Sequence, residues 1–317
     1  RAQWNPEVWR SFSFTDDADV DDAITVDAEA LRRAGPPDVL RALSRDVAGV
    51  SLSEAQANPY QPNLVYRGFS ASPLQGNAQG LAVYLDGGRF NLPFGDTVNF
   101  DLLPDAAIDS ISIRDANPIF GMNALGGSMI VATKTGRSAP GASMEAAFGD
   151  HGRGEASGSV GWSMGNFSGF VAGPARRDDG WRDFSPSTLY NGFADFGWDA
   201  ETGGFHVKLV GADTDLTGNG TAPVELLDAD YSAVFTHPDN TQNRFVRGSV
   251  HPWIAVGDAG RIEATLYAQS FRQRTLNGDA ADIEACSADA TLLCVSDASD
   301  NEAVLRDALG AAIADTL

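Results

Sequence analysis

Two textures divide the chain near Pro140. Beyond it, apolar and polar positions alternate with a period of two over runs of about ten residues, the signature of extended strands with two different faces. In EASGSVGWSM one face carries Ala156, Gly158, Val160, Trp162 and Met164, and the other Ser157, Ser159, Gly161 and Ser163. LYNGFADFGW repeats this, with Tyr190, Gly192, Ala194, Phe196 and Trp198 against Asn191, Phe193, Asp195 and Gly197. FHVKLVGAD, FVRGSVHPWIAV and RIEATLYAQSF keep the period less strictly, and about seven strands fit between residues 140 and 275. Such strands suit a sheet with one face toward lipid and the other toward a polar lumen, with aromatics near the strand ends. A soluble sandwich is the competing reading; it predicts shorter strands whose apolar face packs on a second sheet. Short connections (GDHGRG, SMGN, DAETGG, VGDAG) alternate with long ones (PARRDDGWRDFSPS, LTGNGTAPVELLDADYSAVFTHPDNTQ and everything after Leu276), as in barrels with tight turns on one side and extended loops on the other.

Before Pro140 the pattern is that of a compact α+β module. AITV reads as a strand, and AEALRRAGPPDVLRALSRDVAGV as two short helices broken at Gly35-Pro36-Pro37, the second carrying Val39, Leu40, Leu43 and Val47 at helical spacing. Short extended segments follow at 64 to 69, 81 to 90, 107 to 113 and 128 to 134, joined by links rich in Asn, Pro, Gly and Gln. The expected division is a flexible leader over 1–21, the α+β module over 22–137, barrel-type strands over 138–275, and a long loop containing a helix over 276–317.

Composition narrows the partners. The chain has 317 residues, 43% of them hydrophobic, enough for two domains, and a formal net charge of -21. That acidity repels phosphate backbones and argues against nucleic acid. No apolar run reaches the ~18 residues of a membrane-spanning helix, which leaves a β-barrel open because its strands are shorter. RAQWNPEVWR carries no signal-peptide pattern, so a leader has been removed or the chain is a piece of a longer product.

The chemical motifs are sparse. Cys286 and Cys294 lie close together in a polar stretch, which suits a local disulfide in an oxidising compartment, with two free thiols as the alternative. Gly161-Trp162-Ser163-Met164-Gly165 satisfies G-x-S-x-G, yet a nucleophile elbow requires a helix next and the following NFSGFVAG reads as a strand. Asp17, Asp19 and Asp21 open like a calcium loop, but Asp22 and Ala28 occupy the positions that need Gly and Glu. His151, His206, His237 and His251 lack ligand spacing, and Asp213, Asp215, Asp228 and Asp230 are a solvated rim or a loose cation site. No catalytic residue, no metal-ligating set and no cofactor is assigned.

Residues 65 to 136 carry a more specific signal. VYRGF, LAVYLDGGRFN and DLLPDAAIDSISIRDANPIFGMNALGGSMIVATKTG, together with the upstream DVLRALSRDVAGVSL, occur in the order found in the plug domain of TonB-dependent outer-membrane receptors, which this part of the chain resembles. The resemblance implies an α+β plug domain followed by antiparallel transmembrane β-barrel strands, here an incomplete barrel, because the family's barrel has about 22 strands. It implies a receptor in the outer membrane of a Gram-negative bacterium, in contact with outer-membrane lipid and energised by a TonB-ExbB-ExbD complex. Its ligand would be a small molecule or metal chelate, a ferric siderophore first, with cobalamin, haem or a glycan as alternatives. No TonB box is identified, DDAITV reading instead as the plug's first strand. Loops 55 to 63, 70 to 80 and 89 to 99 become the plug's tips, which makes Gln75, Asn77, Arg89 and Asn91 candidate ligand contacts, with Arg67 a further candidate that is either structural or ligand-facing. Arg67 reads as a buried strand cation needing an oxygen partner, and Gly68, Asp86, Gly87, Gly121, Gly126 and Gly127 as structural motif residues. Gly88 and the RDANP corner depart from the family pattern, which predicts loose packing there. The rivals are a non-transporting binding or signalling module and a truncated receptor remnant.

Overall fold

The computed structural model describes residues 7–14, 24–33, 39–54, 56–257, 260–278, 283–296, 301–306 and 309–315. The expected calcium-like run at Asp17, Asp19 and Asp21 lies outside them.

The amino-terminal module begins with β2 (Ile24–Asp27), after an earlier strand β1 (Glu7–Phe14) that belongs to the other sheet. Helices α1 (Ala28–Arg33) and α2 (Val39–Asp46) follow. The Asp27 carboxylate accepts from the Ala30 amide at 2.8 Å, capping the start of α1, and α2 buries Leu40, Ala42 and Leu43 with Val47 beyond its end. Strands β3 (Val50–Glu54), β4 (Pro62–Tyr66) and β5 (Phe69–Ala71) form one small sheet. Strands β6 (Leu81–Leu85), β7 (Gly88–Arg89), β8 (Ile108–Arg114) and β9 (Gly127–Thr133) join β2 in another, in the order β2-β8-β9-β6-β7. Among the paired strands of the described residues, β6 and β9 alone run parallel. Leu64, Tyr66, Val83, Ile111 and Val131 are among the side chains sealed between these layers.

The seven strands expected after residue 140 are present: β10 (Gly141–Phe148), β11 (Gly154–Met164), β12 (Phe167–Asp178), β13 (Ser187–Asp199), β14 (Gly203–Gly218), β15 (Asp239–Ala255) and β16 (Arg261–Leu276). They pair in sequence as an antiparallel meander, and β15 reaches 17 residues, far beyond the five or six typical of a sandwich. One end is closed by the turns 165–166, 200–202 and 256–260; the other holds 149–153, 179–186 and the long connection 219–238, which contains a short helix α3 (Val224–Ala229). GDHGRG therefore sits at the long-loop end, so the expected alternation of short and long connections fails at its first member.

The sheet is not closed, and its two faces differ. Val160, Trp162, Tyr190, Phe196, Leu209, Val246, Val250 and Ile254 point away from the amino-terminal module and are exposed. Along β15 the outward apolar residues run from Val246 to Ile254, about 27 Å of strand at ~3.4 Å per residue. Tilted by about 40°, this is a band roughly 20 Å tall, comparable to the ~25 Å girdle of outer-membrane barrels. The inward face mixes Asn191, Asp195, Lys208, Thr214, Asn243, Arg247 and Ser249 with Phe170, Phe193, Val210 and Phe245, all buried. No second sheet covers the aromatic outer face among the described residues, which removes the sandwich reading.

Two further expectations fail. Glu7–Phe14, expected in a flexible leader, pair with β16 from Gln269 to Ile262 as β1, giving that sheet an eighth strand. The helix expected within 276–317 is absent among the described residues; β17 (Ile283–Ala285), β18 (Leu293–Ser296) and β19 (Glu302–Val304) form a small sheet there instead. Glu302–Val304 pair with β18 in place of a helical start, and β18 carries Cys294 of the Cys286–Cys294 disulfide, with Cα atoms 4.9 Å apart.

Candidate functional site

The amino-terminal module seats on the inward face through apolar contacts, with Phe90 edge-on to Phe245 at 6.0 Å between ring centroids, and through polar ones. At the long-loop end the Asn58 side chain donates to Ser187 Oγ at 2.9 Å and to the Thr217 carbonyl at 2.8 Å. Tyr60 donates to Asp178 at 3.1 Å; burial, then the Asp178 charge, push its phenol up to about 12. Deeper, the Asp101 carboxylate accepts from Thr214 at 2.7 Å and Asn243 at 2.9 Å. Burial raises its pKa, and these two donors only partly oppose the rise. Lys208 bonds Asp86 and Thr133 Oγ1, each at 2.8 Å. Burial works against the Asp86 charge, but Lys208 and the Thr133 amide together hold this carboxyl below its usual range.

Gly88 corrects the expectation of loose packing. A Cβ there would lie 2.1 Å from Arg247 Nη2 and 2.7 Å from the Tyr267 ring. The absent side chain makes room for Arg247, whose guanidinium donates to the carbonyls of Leu85 (3.2 Å) and Arg89 (2.9 Å) and stacks 4.0 Å from the Tyr267 ring centroid.

The sequence-derived residues fall into separate places. Asp86 and Gly87 form the two-residue turn between β6 and β7 with φ of 49° and 78°, and Arg67 and Gly68 the turn between β4 and β5 with φ of 49° and 88°, the left-handed pair of a type I′ hairpin. Arg67 is thus exposed at a turn and not a buried strand cation; its partner is Asp115 at 2.7 Å. Gly126 leaves space for Phe69, whose side chain would meet an added Cβ at 2.3 Å, while Gly127, at φ 143°, lies against the Arg114 carbonyl. Gly121 is exposed at φ 74°.

Arg89 does become a centre. It binds Asp96 at 2.8 and 3.1 Å and the Met122 carbonyl at 2.8 Å, and Asn123 donates to Asp96 at 2.7 Å. Tyr84 donates to the Phe120 carbonyl at 2.6 Å, so loops 89–99 and 119–125 are tied into one tip. Gln75 and Asn77 are exposed on loop 70–80, with Gln75 beside Gly95 and Asn77 donating to Ser72. Asn91 is a correction to the contact set: it is buried, and its amide serves Val83 N and Leu81 O. Sequence reasoning missed Asp96 and Asn123, and also Phe94, Ile119, Met122 and Leu125, large apolar residues left exposed beside them. Their available signal was bulky apolar residues inside Gly- and Pro-punctuated loops, where no strand or helix could bury them.

Ser163 of the GWSMG run lies on β11 and leads through a two-residue turn into β12, without the helix of a nucleophile elbow. Among the described residues no group of His, Cys, Asp and Glu forms a metal cluster.

Residues 16–128 match the family model described as the TonB-dependent receptor plug domain. The amino-terminal module is a plug domain of the TonB-dependent receptor type, and the strands after it share the fold of solved receptor barrels. Its structure resembles the ferric citrate transporter FecA in unliganded form, with a TM-score of 0.67 and 15% identity over 81% of this chain and 41% of that one. It also resembles the ferric-catecholate import receptor Fiu from E. coli K12 in open form, with a TM-score of 0.64 and 16% identity over 87% and 44% of the two chains. BauA, the ferric preacinetobactin receptor from Acinetobacter baumannii, aligns with a TM-score of 0.63 and 13% identity over 86% and 40%. The chain thus spans less than half the length of these solved receptors, and identities this low establish fold alone. No curated protein matches the chain in sequence.

Proposed function

We propose that this chain is part of an outer-membrane receptor of a Gram-negative bacterium that takes up a scarce ligand with energy supplied by a TonB-ExbB-ExbD complex. The observation that carries the reading is the opposition of the sheet's faces: apolar and uncovered outside, polar and occupied by the plug inside. The hydrogen bonds and ion pairs that hold the plug, beside apolar contacts such as Phe90 against Phe245, can be exchanged for bonds to water when the plug moves, as gated passage requires. Asp86–Lys208, Asp101 with Thr214 and Asn243, and Arg247 with the Leu85 and Arg89 carbonyls are contacts that must part or shift.

The ligand reading is a ferric chelate, supported by the ferric citrate transporter and the ferric-catecholate and ferric preacinetobactin receptors among the similar structures. The Arg89–Asp96–Asn123 tip, with Arg67, Gln75 and Asn77 as neighbouring candidates, offers donors beside exposed apolar side chains and suits a chelate with an oxygen-rich centre and an organic rim. The test is growth of a receptor-deletion strain, complemented or not with the full-length gene, on a panel of ferric chelates. Restoration on one chelate that is lost on collapsing the inner-membrane proton gradient supports uptake; restoration on none, with iron uptake unchanged, contradicts it.

A further inference from the structure

The outward face changes character at the long-loop edge of its apolar band. Asp213 on β14 lies opposite Arg244 on β15, which lies opposite Arg272 on β16; in the next row Asp215 faces Gln242, which faces Arg274. Strand alternation puts these side chains on the same face as Leu209, Val246, Val250 and Leu266, while the intervening Thr214 and Asn243 are buried toward the plug. They line a depression of about 170 Å³. Arg244 pairs with Asp213 at 3.0 Å, and Asp215 accepts from Gln242 at 2.9 Å and Asn240 at 2.6 Å. Arg272 and Arg274 are exposed and have no carboxylate partner among the described residues. Two guanidinium groups directly opposite on neighbouring strands repel, and a third sits one row away. In a chain of net charge -21, this cationic patch stands out, and an anion between the arginines relieves it.

We propose that this patch is a headgroup site for a phosphate-bearing lipid in the leaflet on the long-loop side. The inference rests on the reading of β10 to β16 as a membrane wall. Guanidinium forks bind phosphate oxygens in pairs, and their aliphatic stems can lie along the wall while the charged heads stay at the interface. Lipid-facing arginine is tolerated at this depth and disfavoured at the midplane. Acyl chains attached to that headgroup would descend over Val246, Val250 and Leu209. The patch faces away from the plug, so the transported ligand is not its occupant.

The full-length receptor in dodecyl maltoside is titrated with dioleoyl phosphatidic acid and, separately, dioleoyl phosphatidylcholine, and bound lipid is counted by native mass spectrometry. Wild type is expected to prefer phosphatidic acid, and Arg272→Gln/Arg274→Gln to lose about tenfold in apparent affinity for it. If the glutamine variant does not fold, Arg272→Lys/Arg274→Lys decides, with several-fold weaker binding but a retained preference expected. Wild-type affinity in both variants, equal binding of the two lipids, or displacement by inorganic phosphate at matching concentration overturns the site. A receptor that stays monodisperse without detergent and binds no lipid refutes the membrane wall itself, a separate outcome.

Discussion

Single residues fix how the plug meets the wall. Gly88 leaves open the space that Arg247 fills: Gly88→Ala drives a methyl into the guanidinium, and overpacking of this kind costs about 1–3 kcal/mol. The expected outcome is a lower thermal midpoint of the detergent-solubilised receptor, partly restored by Arg247→Ala in the same chain. Asp86 and Lys208 form a buried pair, both side chains 10% exposed. Lys208→Met leaves an uncompensated carboxylate and costs about 3–5 kcal/mol, whereas Asp86→Asn with Lys208→Met costs less than the sum of the singles. Chemical-denaturation midpoints of the four proteins test this; additivity would show that the pair does not hold the plug. The two buried plug carboxyls respond oppositely to pH. Asp86 is depressed, so its contribution is present above the unfolded carboxylate value near ~3.9 and is lost as pH falls through the lower folded value. Asp101 is raised, so the native state binds the extra proton between ~3.9 and its folded value, and stability falls as pH rises through that window. Asp101→Asn is therefore expected to remove this falling limb and raise the denaturation midpoint at neutral pH.

At the scale of elements, alternation made the wall legible. Tyr190 and Phe196 are exposed while Asn191, Phe193 and Asp195 are buried, the division read from LYNGFADFGW. What alternation could not carry was contact between distant segments: nothing in VYLDGGRF announces that Gly88 makes room for an arginine on β15, and Asn91 looks like any loop amide until Val83 and Leu81 claim it. Arg67 was misplaced because the apolar VY before it suggested a continuing strand, whereas the following glycine allowed a two-residue turn. The wall itself predicts an asymmetry between its faces. Leu209, outward and near the middle of the apolar band, should accept arginine poorly: Leu209→Arg is expected to cost about 2–4 kcal/mol in a lipid-embedded sheet. Folded fraction after refolding into lipid vesicles, read by heat-dependent gel mobility, reports this, and a soluble sheet would tolerate the exposed charge.

For the whole molecule, the plug motifs were legible because turn geometry demands particular residues in a fixed order, and the ligand was not, because recognition depends on which loop tips converge. Arg89, Asp96 and Asn123 meet only after β6, β7 and β9 have been assembled. The central claim is that one face of β10 to β16 meets lipid while the other encloses the plug. It is tested most directly by spin labels placed singly at successive positions from Gln242 to Ile254 in the receptor reconstituted in bilayers, comparing collision with oxygen, which partitions into lipid, and with a water-soluble nickel chelate. The account predicts a period of two, with oxygen access highest at Val246, Gly248, Val250 and Ile254 and low at Phe245, Arg247 and Ser249. Nickel access exceeding oxygen access at Val246 and Val250, or no alternation along the strand, would contradict it.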